Sequence, residues 1–210
     1  MKNKALLILL LLTGIFCSAT RVQAQKWSVK TNLLYWATGT LNIGGELKVS
    51  KHSTFNVTCN LNPWTYGVDT KLQHWFFRPE YRYWVTEANT RLFFGMHVMG
   101  GGFEVGGFKV PIIGDKIGRL RNLLYTYHSG TFVAAGVGMG YAFYLSPHLN
   151  LEVSGGVGLA RIKHHSEPNT KHPKWAGGPT WRGRDKVHYL PVPTELSISL
   201  VYLFNGKNKK

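Results

Sequence analysis

The chain has 210 residues, and beyond the first 24 it holds one cysteine, Cys59, and no apolar run of helix length. A single thiol excludes an intramolecular disulfide, so burial and hydrogen bonding must hold the fold together. Without a run of roughly 20 apolar residues there is no membrane-spanning helix. Acid is also scarce, with 10 Asp and Glu against 25 Lys and Arg for a formal +15. Where so few carboxylates are placed is therefore informative.

Residues 1–24 read as a secretory signal peptide. Lys2 and Lys4 precede an apolar stretch from Ala5 to Phe16, and Val22-Gln23-Ala24 supplies a small-residue cleavage pattern before Gln25. Cys17 follows Phe16, whereas a lipidated cysteine normally follows a small residue. Cleavage removes Lys2, Lys4 and Arg21 and leaves 22 cations against 10 anions.

The rest of the chain alternates with a period of two. Leu41, Ile43, Leu47 and Val49 fall on one face, and Asn42, Glu46, Lys48 and Ser50 on the other. Strands are predicted near 27–36, 41–50, 53–62, 74–85, 91–101, 131–145, 149–162 and 190–204. Tight links at Lys51-His52, Glu87–Thr90 and Ser146-Pro147-His148 alternate with long ones, above all 102–130 and 163–189. Eight strands of roughly 9–11 residues, short turns at one end and long loops at the other predict an all-β, eight-stranded antiparallel up-and-down transmembrane β-barrel over 25–204. Residues 205–210 form a basic tail. Localisation in the bacterial outer membrane after export follows, with outer-membrane lipid as the first partner.

The apolar rows, for example Trp75, Phe77, Tyr81, Tyr83 and Val85, or Val133, Val137, Met139, Tyr141 and Phe143, carry no charge. The complementary rows do. Lys30, Lys48, Arg78 and Arg82 lie on predicted inward faces together with Glu46, Glu80, Glu152 and Glu195. Buried charges persist when paired and hydrogen-bonded, so these eight residues predict an interior ion-pair network inside a packed polar lumen. Small residues such as Gly136, Gly138, Gly140, Gly156 and Gly158 make room for Trp36, Phe76, Trp84 and Phe93, since an eight-stranded barrel is only wide enough for side chains to fill. His97 reads as an interior histidine.

The excess positive charge falls in the links, chiefly as a basic outer loop of Lys171, Lys174, Arg182, Arg184 and Lys186. Export excludes nucleic acid, so an anionic lipopolysaccharide leaflet or another acidic envelope surface is the expected partner. No catalytic, cofactor or metal site is predicted. His164-His165-Ser166-Glu167 and His128-Ser129 have hydrolase residue types, but adjacency in a loop supplies no convergent geometry. His164, His165, His172 and His188 share that flexible context, and Gly100-Gly101-Gly102 lacks the lysine and helix of a phosphate loop.

The opening Lys30-Thr31-Asn32-Leu33-Leu34-Tyr35, the turn Asn62-Pro63-Trp64, the strand Phe77-Arg78-Pro79-Glu80-Tyr81-Arg82-Tyr83-Trp84 and the closing Tyr202-Leu203-Phe204 resemble an uncharacterised family of small outer-membrane barrels carried near fimbrial gene clusters. The resemblance implies location, fold and a fimbrial or envelope protein partner, and transfers no catalytic residue. The expected function is a surface structural or interaction protein. The rivals are a lipid A-modifying barrel enzyme and a soluble periplasmic barrel with its apolar rows turned inward around a ligand.

Overall fold

In β2 (Leu41–Lys48) the exposed Leu41 and Ile43 alternate with the buried Gly44 and Glu46, and the same alternation organises every long strand. The computed structural model describes residues 27–66, 70–107, 126–168 and 186–204. The leader, the tail, and the basic positions Lys171, Lys174, Arg182 and Arg184 lie outside them. The other elements are β1 (Trp27–Asn32), α1 (Leu33–Ala37), β3 (Ser53–Asn62), β4 (Thr65–Tyr66), β5 (Thr70–Trp84), β6 (Arg91–Gly106), β7 (Thr126–Ser146), β8 (Leu149–Pro168) and β9 (Lys186–Leu203).

The fold is an all-β, antiparallel up-and-down sheet of nine strands that closes in a ring. β1 pairs with β2, β2 with β3, β3 with β5, and the sequence runs on through β6, β7 and β8 to β9, which returns to β1. Eight strands complete this circuit, and β4 is a two-residue addition to the end of β5. The links 49–52, 85–90 and 147–148 are short and lie at one end; α1, β4 and the C-terminal ends of β6 and β8 lie at the other.

Two expectations need correction. Residues 33–36 do not continue β1 but form α1. Four consecutive apolar side chains carry no period of two, and the Asn32 side chain caps the helix by accepting from the Leu34 N–H at 3.1 Å. Gly39, at φ 68°, then turns the chain back, with its N–H donating to the Trp36 carbonyl at 2.9 Å. Trp36 is consequently not an interior residue: it is 64% exposed, with its indole N–H donated to Thr31 Oγ1 at 2.8 Å. The long loops are also shorter than expected, because β6 runs on to Gly106, β7 begins at Thr126, β8 ends at Pro168 and β9 begins at Lys186. Lys186 thus opens a strand, and His164, His165, Ser166 and His188 stand on strands.

Burial is inverted relative to an ordinary globular core. Among the described residues, 22 of the buried side chains are polar or charged and seven are apolar, whereas 35 large apolar side chains are exposed. Val133, Val137, Met139, Tyr141 and Phe143 all point outward from β7, and Cys59 is exposed on β3. The interior is layered. At the short-turn end Trp84, Ala88, Phe93 and Ala142 form an apolar plug, with the Trp84 and Phe93 ring centroids 4.6 Å apart and the Trp84 indole donating to Thr54 Oγ1 at 2.9 Å. Gly140 is needed there, because a β-carbon would strike the Phe93 ring and lie 2.7 Å from Ser154 Cβ. Ionised side chains fill the middle. Tyr35, Phe76, Phe103 and Phe132 form a cup of ring contacts at the far end.

Candidate functional site: a buried charge cluster

The middle layer is built by strand register. On β5, Arg78, Glu80 and Arg82 point inward at a spacing of two and face Thr58, Asn56 and Thr54 of β3. Arg82 is the hub: its guanidinium reaches Glu80 Oε2 at 2.8 Å, Glu152 Oε2 at 2.9 Å and Glu46 Oε2 at 3.5 Å. Lys30 from β1 bridges Glu46 and Glu152, the latter at 2.8 Å. Arg78 donates to Glu195 Oε1 at 3.2 Å, and the same oxygen accepts from Ser154 Oγ at 2.6 Å. Asn56 donates to Glu80 Oε2 at 3.0 Å.

All seven of these charged residues are buried. They rise from β1, β2, β5, β8 and β9, so the pairs tie strands across the ring as well as beside one another. Arg82 also stacks over Phe93, 4.4 Å from the ring centroid, which joins the charged layer to the apolar plug. The eighth expected member is less buried than the other seven. Lys48 sits half-buried at the end of β2 opposite Thr54, outside the fully buried cluster, because β2 ends there and the chain enters its turn. The fully buried members are therefore three cations and four carboxylates.

His97 lies beside this layer on β6, 4% exposed, with Nε2 2.8 Å from Thr194 Oγ1. Alternation identifies it as interior, but not this partner. Thr194 occupies the extra position of a bulge in β9, where the β8–β9 register shifts after Gly156. Over α1, burial raises the Tyr35 hydroxyl above its ordinary range, with Arg78 opposing and Glu195 reinforcing the shift.

Two voids border on the charged side chains, and Tyr35 and Phe76 line both. One of about 20 Å³, lined in part by Lys30, Asn42, Arg78 and Ser199, has the size of a single water. The other, of about 480 Å³, lies within the aromatic cup, and its lining includes Tyr35, Phe76, Phe132, Thr194 and Glu195.

A second polar group lies at the far end. Ser166 Oγ and His128 Nδ1 are 2.9 Å apart across the β7–β8 ladder, a pairing invisible while Ser166 is read as loop. The rings of His128, His164 and His188 follow one another at 5.4 and 5.2 Å between centroids.

A family model described as "Protein of unknown function (DUF3575)" matches residues 6–204, nearly the whole chain and every element above. The chain belongs to that family. No curated protein and no solved structure matches it. In this DUF3575 chain the Arg78–Glu80–Arg82 strand is at once the most distinctive sequence feature and the centre of the buried cluster.

Proposed function

We propose that this DUF3575 protein is an outer-membrane β-barrel, its eight ring strands crossing the bilayer and its lumen sealed by the charge cluster, and that it works as a surface structural or interaction protein rather than as a pore. One observation carries the reading: a closed ring wears its large apolar side chains outside and its charges inside. A closed ring leaves no backbone edge unpaired, which a strand structure in lipid requires.

The dimensions agree with this reading. Outward positions carry no charge from Leu149 to Leu159 on β8 and from Trp75 on β5 to Val85 just past its end, while Arg91 opens β6, the Lys71–Glu104 pair lies near the far ends of β5 and β6, and Arg161 stands one outward step beyond Leu159. Ten residue steps of about 3.3 Å, tilted by about 40°, span about 25 Å, the height of the apolar band in such barrels. Trp27, Tyr83, Tyr202 and Phe204 at one end, and Trp36, Trp64, Trp75 and Tyr189 at the other, are exposed where interfacial girdles belong. A soluble barrel around an apolar ligand would need these rows turned inward.

Lipid is then the partner along the belt. The basic loop residues Lys171, Lys174, Arg182 and Arg184 suit the anionic headgroups of lipopolysaccharide, and the resemblance to barrels near fimbrial clusters supports a fimbrial or envelope protein at the long-loop end. The experiment is fractionation of the envelope followed by electrophoresis with and without boiling. The protein partitions with the outer membrane and migrates differently before and after heating. Recovery as a soluble periplasmic protein overturns the reading.

A second reading has one observation in its favour, the Ser166–His128 pair, whose residue types suit acyl hydrolysis. It predicts a changed lipid A mass on expression. An unchanged mass is the outcome the interaction reading requires.

A further inference from the structure

Each carboxylate of the buried cluster engages its cations through one oxygen, and Glu46 Oε1 and Glu152 Oε1 are left over like the second oxygens of Glu80 and Glu195; among the described residues only those of Glu80 and Glu195 converge with a histidine. Glu80 engages Arg82 and Asn56 through Oε2, and Glu195 engages Arg78 and Ser154 through Oε1. Their other oxygens, Glu80 Oε1 and Glu195 Oε2, are buried without a hydrogen-bond partner, as is His97 Nδ1. Exposure of the three residues is 1%, 5% and 4%. An unsatisfied buried carboxylate oxygen is costly, and two of them beside an unsatisfied imidazole nitrogen require an explanation.

The backbone explains why the three converge. Gly95 of β6 and Gly138 of β7 are cross-strand partners. A β-carbon on Gly95 would strike Glu80 Oε1, and one on Gly138 would lie 3.0 Å from Glu195 Oε2. Both free oxygens therefore rest on one glycine pair. Gly136, the cross-strand partner of His97, makes the same space for the imidazole, since a β-carbon there would lie 2.8 Å from Nε2. Each of the three residues brings one donor atom to within 4.8 Å of the others. Thr194 holds the imidazole from its Nε2 side at 2.8 Å, the outer partner that a metal-ligating histidine ordinarily has on its second nitrogen.

Charge and access point the same way. The site itself offers two carboxylates to one imidazole, a donor set that suits a cation. Glu195 and Thr194 also line the 480 Å³ cavity, which gives an approach from the aromatic cup and space for water at a remaining coordination position. We propose that Glu80, His97 and Glu195 form a buried site for one divalent transition-metal cation. Zinc is the best match to two carboxylates and an imidazole. The ion would tie β5, β6 and β9 together from inside the ring, and the inference holds wherever the ring resides.

The test uses the full chain purified from the fraction that contains it, in detergent where that is the membrane, stripped with chelator, and loaded with Zn²⁺ or with Co²⁺ as a spectroscopic stand-in. One equivalent of metal stays bound through desalting, and Co²⁺ gives visible bands of a nitrogen- and oxygen-ligated ion. In H97A retention falls by more than the ten- to hundredfold that losing even an outer-shell partner costs. In the triple variant H128N/H164N/H188N, which removes the histidines at the far end, it is unchanged. The β-sheet circular dichroism spectrum and a cooperative unfolding transition check that each variant is folded. A folded wild-type chain that keeps neither metal overturns the proposal whatever the variants do. Retention that survives H97A, or disappears in the triple variant, overturns it equally.

Discussion

Two ion pairs with similar chemistry have opposite consequences here. The Lys51–Glu87 pair, at 3.6 Å with both side chains more than half exposed, sits in solvent, where such a pair contributes between 0 and about 1 kcal/mol. Glu80 is buried against Arg82, with Arg78 at 3.9 Å and an asparagine amide donating to the same oxygen. Removing Glu80 would strand two buried guanidinium groups with one fewer carboxylate between them, and breaking such a pair costs about 3–5 kcal/mol. In denaturant titrations of the folded protein, Glu80→Ala should lower stability by that amount, while Glu87→Ala should change it by less than about 1 kcal/mol. Equal effects at the two positions would mean that Glu80 is solvated. Alternation alone marked Lys30, Glu46, Arg78, Glu80, Arg82, Glu152 and Glu195 as inward-facing. It could not reveal which oxygen of each carboxylate is engaged, because that depends on contacts across the ring between residues up to 122 positions apart.

At the scale of elements, strands were legible wherever one face was apolar and the other polar, since a one-residue slip would exchange the two faces. The reading failed where that contrast disappears. Leu33-Leu34-Tyr35-Trp36 is apolar on both faces, and a capping asparagine with a left-handed glycine turns it into α1. At the long-link ends the glycines, histidines and lysines of 102–106 and 163–168 look like loop, yet ladder pairing with their neighbours extends β6 and β8 through them. Ser166 meets His128 only because of that extension. Strand β3 offers a direct check of face assignment, because Cys59 points outward between Val57 and Leu61. If those residues face lipid, Cys59 in intact envelopes should resist charged thiol reagents and react with small apolar maleimides. Rapid modification by a charged reagent, without detergent, would place this row in water.

For the whole molecule, the deciding question is whether a ring of eight strands is a conduit. Such a ring is barely wider than the side chains that project into it, and here each level of the interior is occupied by a different chemistry. Trp84 and Phe93 close the short-turn end with no exposed surface, and the paired charges lie directly above them, joined by Arg82 over the Phe93 ring. The void within that charged layer is about 20 Å³, one water rather than a column of water. The 480 Å³ cavity of the aromatic cup ends against Glu195 and Thr194, so it forms a vestibule above the charged layer and does not continue through it. An ion crossing the ring would have to break the Lys30, Arg78 and Arg82 pairs and then displace the indole plug. Reconstituted in planar bilayers, the protein should therefore give no steady single-channel current. Trp84→Ala should not open it, because the ion-pair layer remains; combining Trp84→Ala with Arg82→Ala removes both barriers and should produce measurable conductance. Large, stable currents through the unmodified protein would show that the paired charges line a water-filled path, and the proposal of a sealed structural or interaction protein would give way to that of a channel.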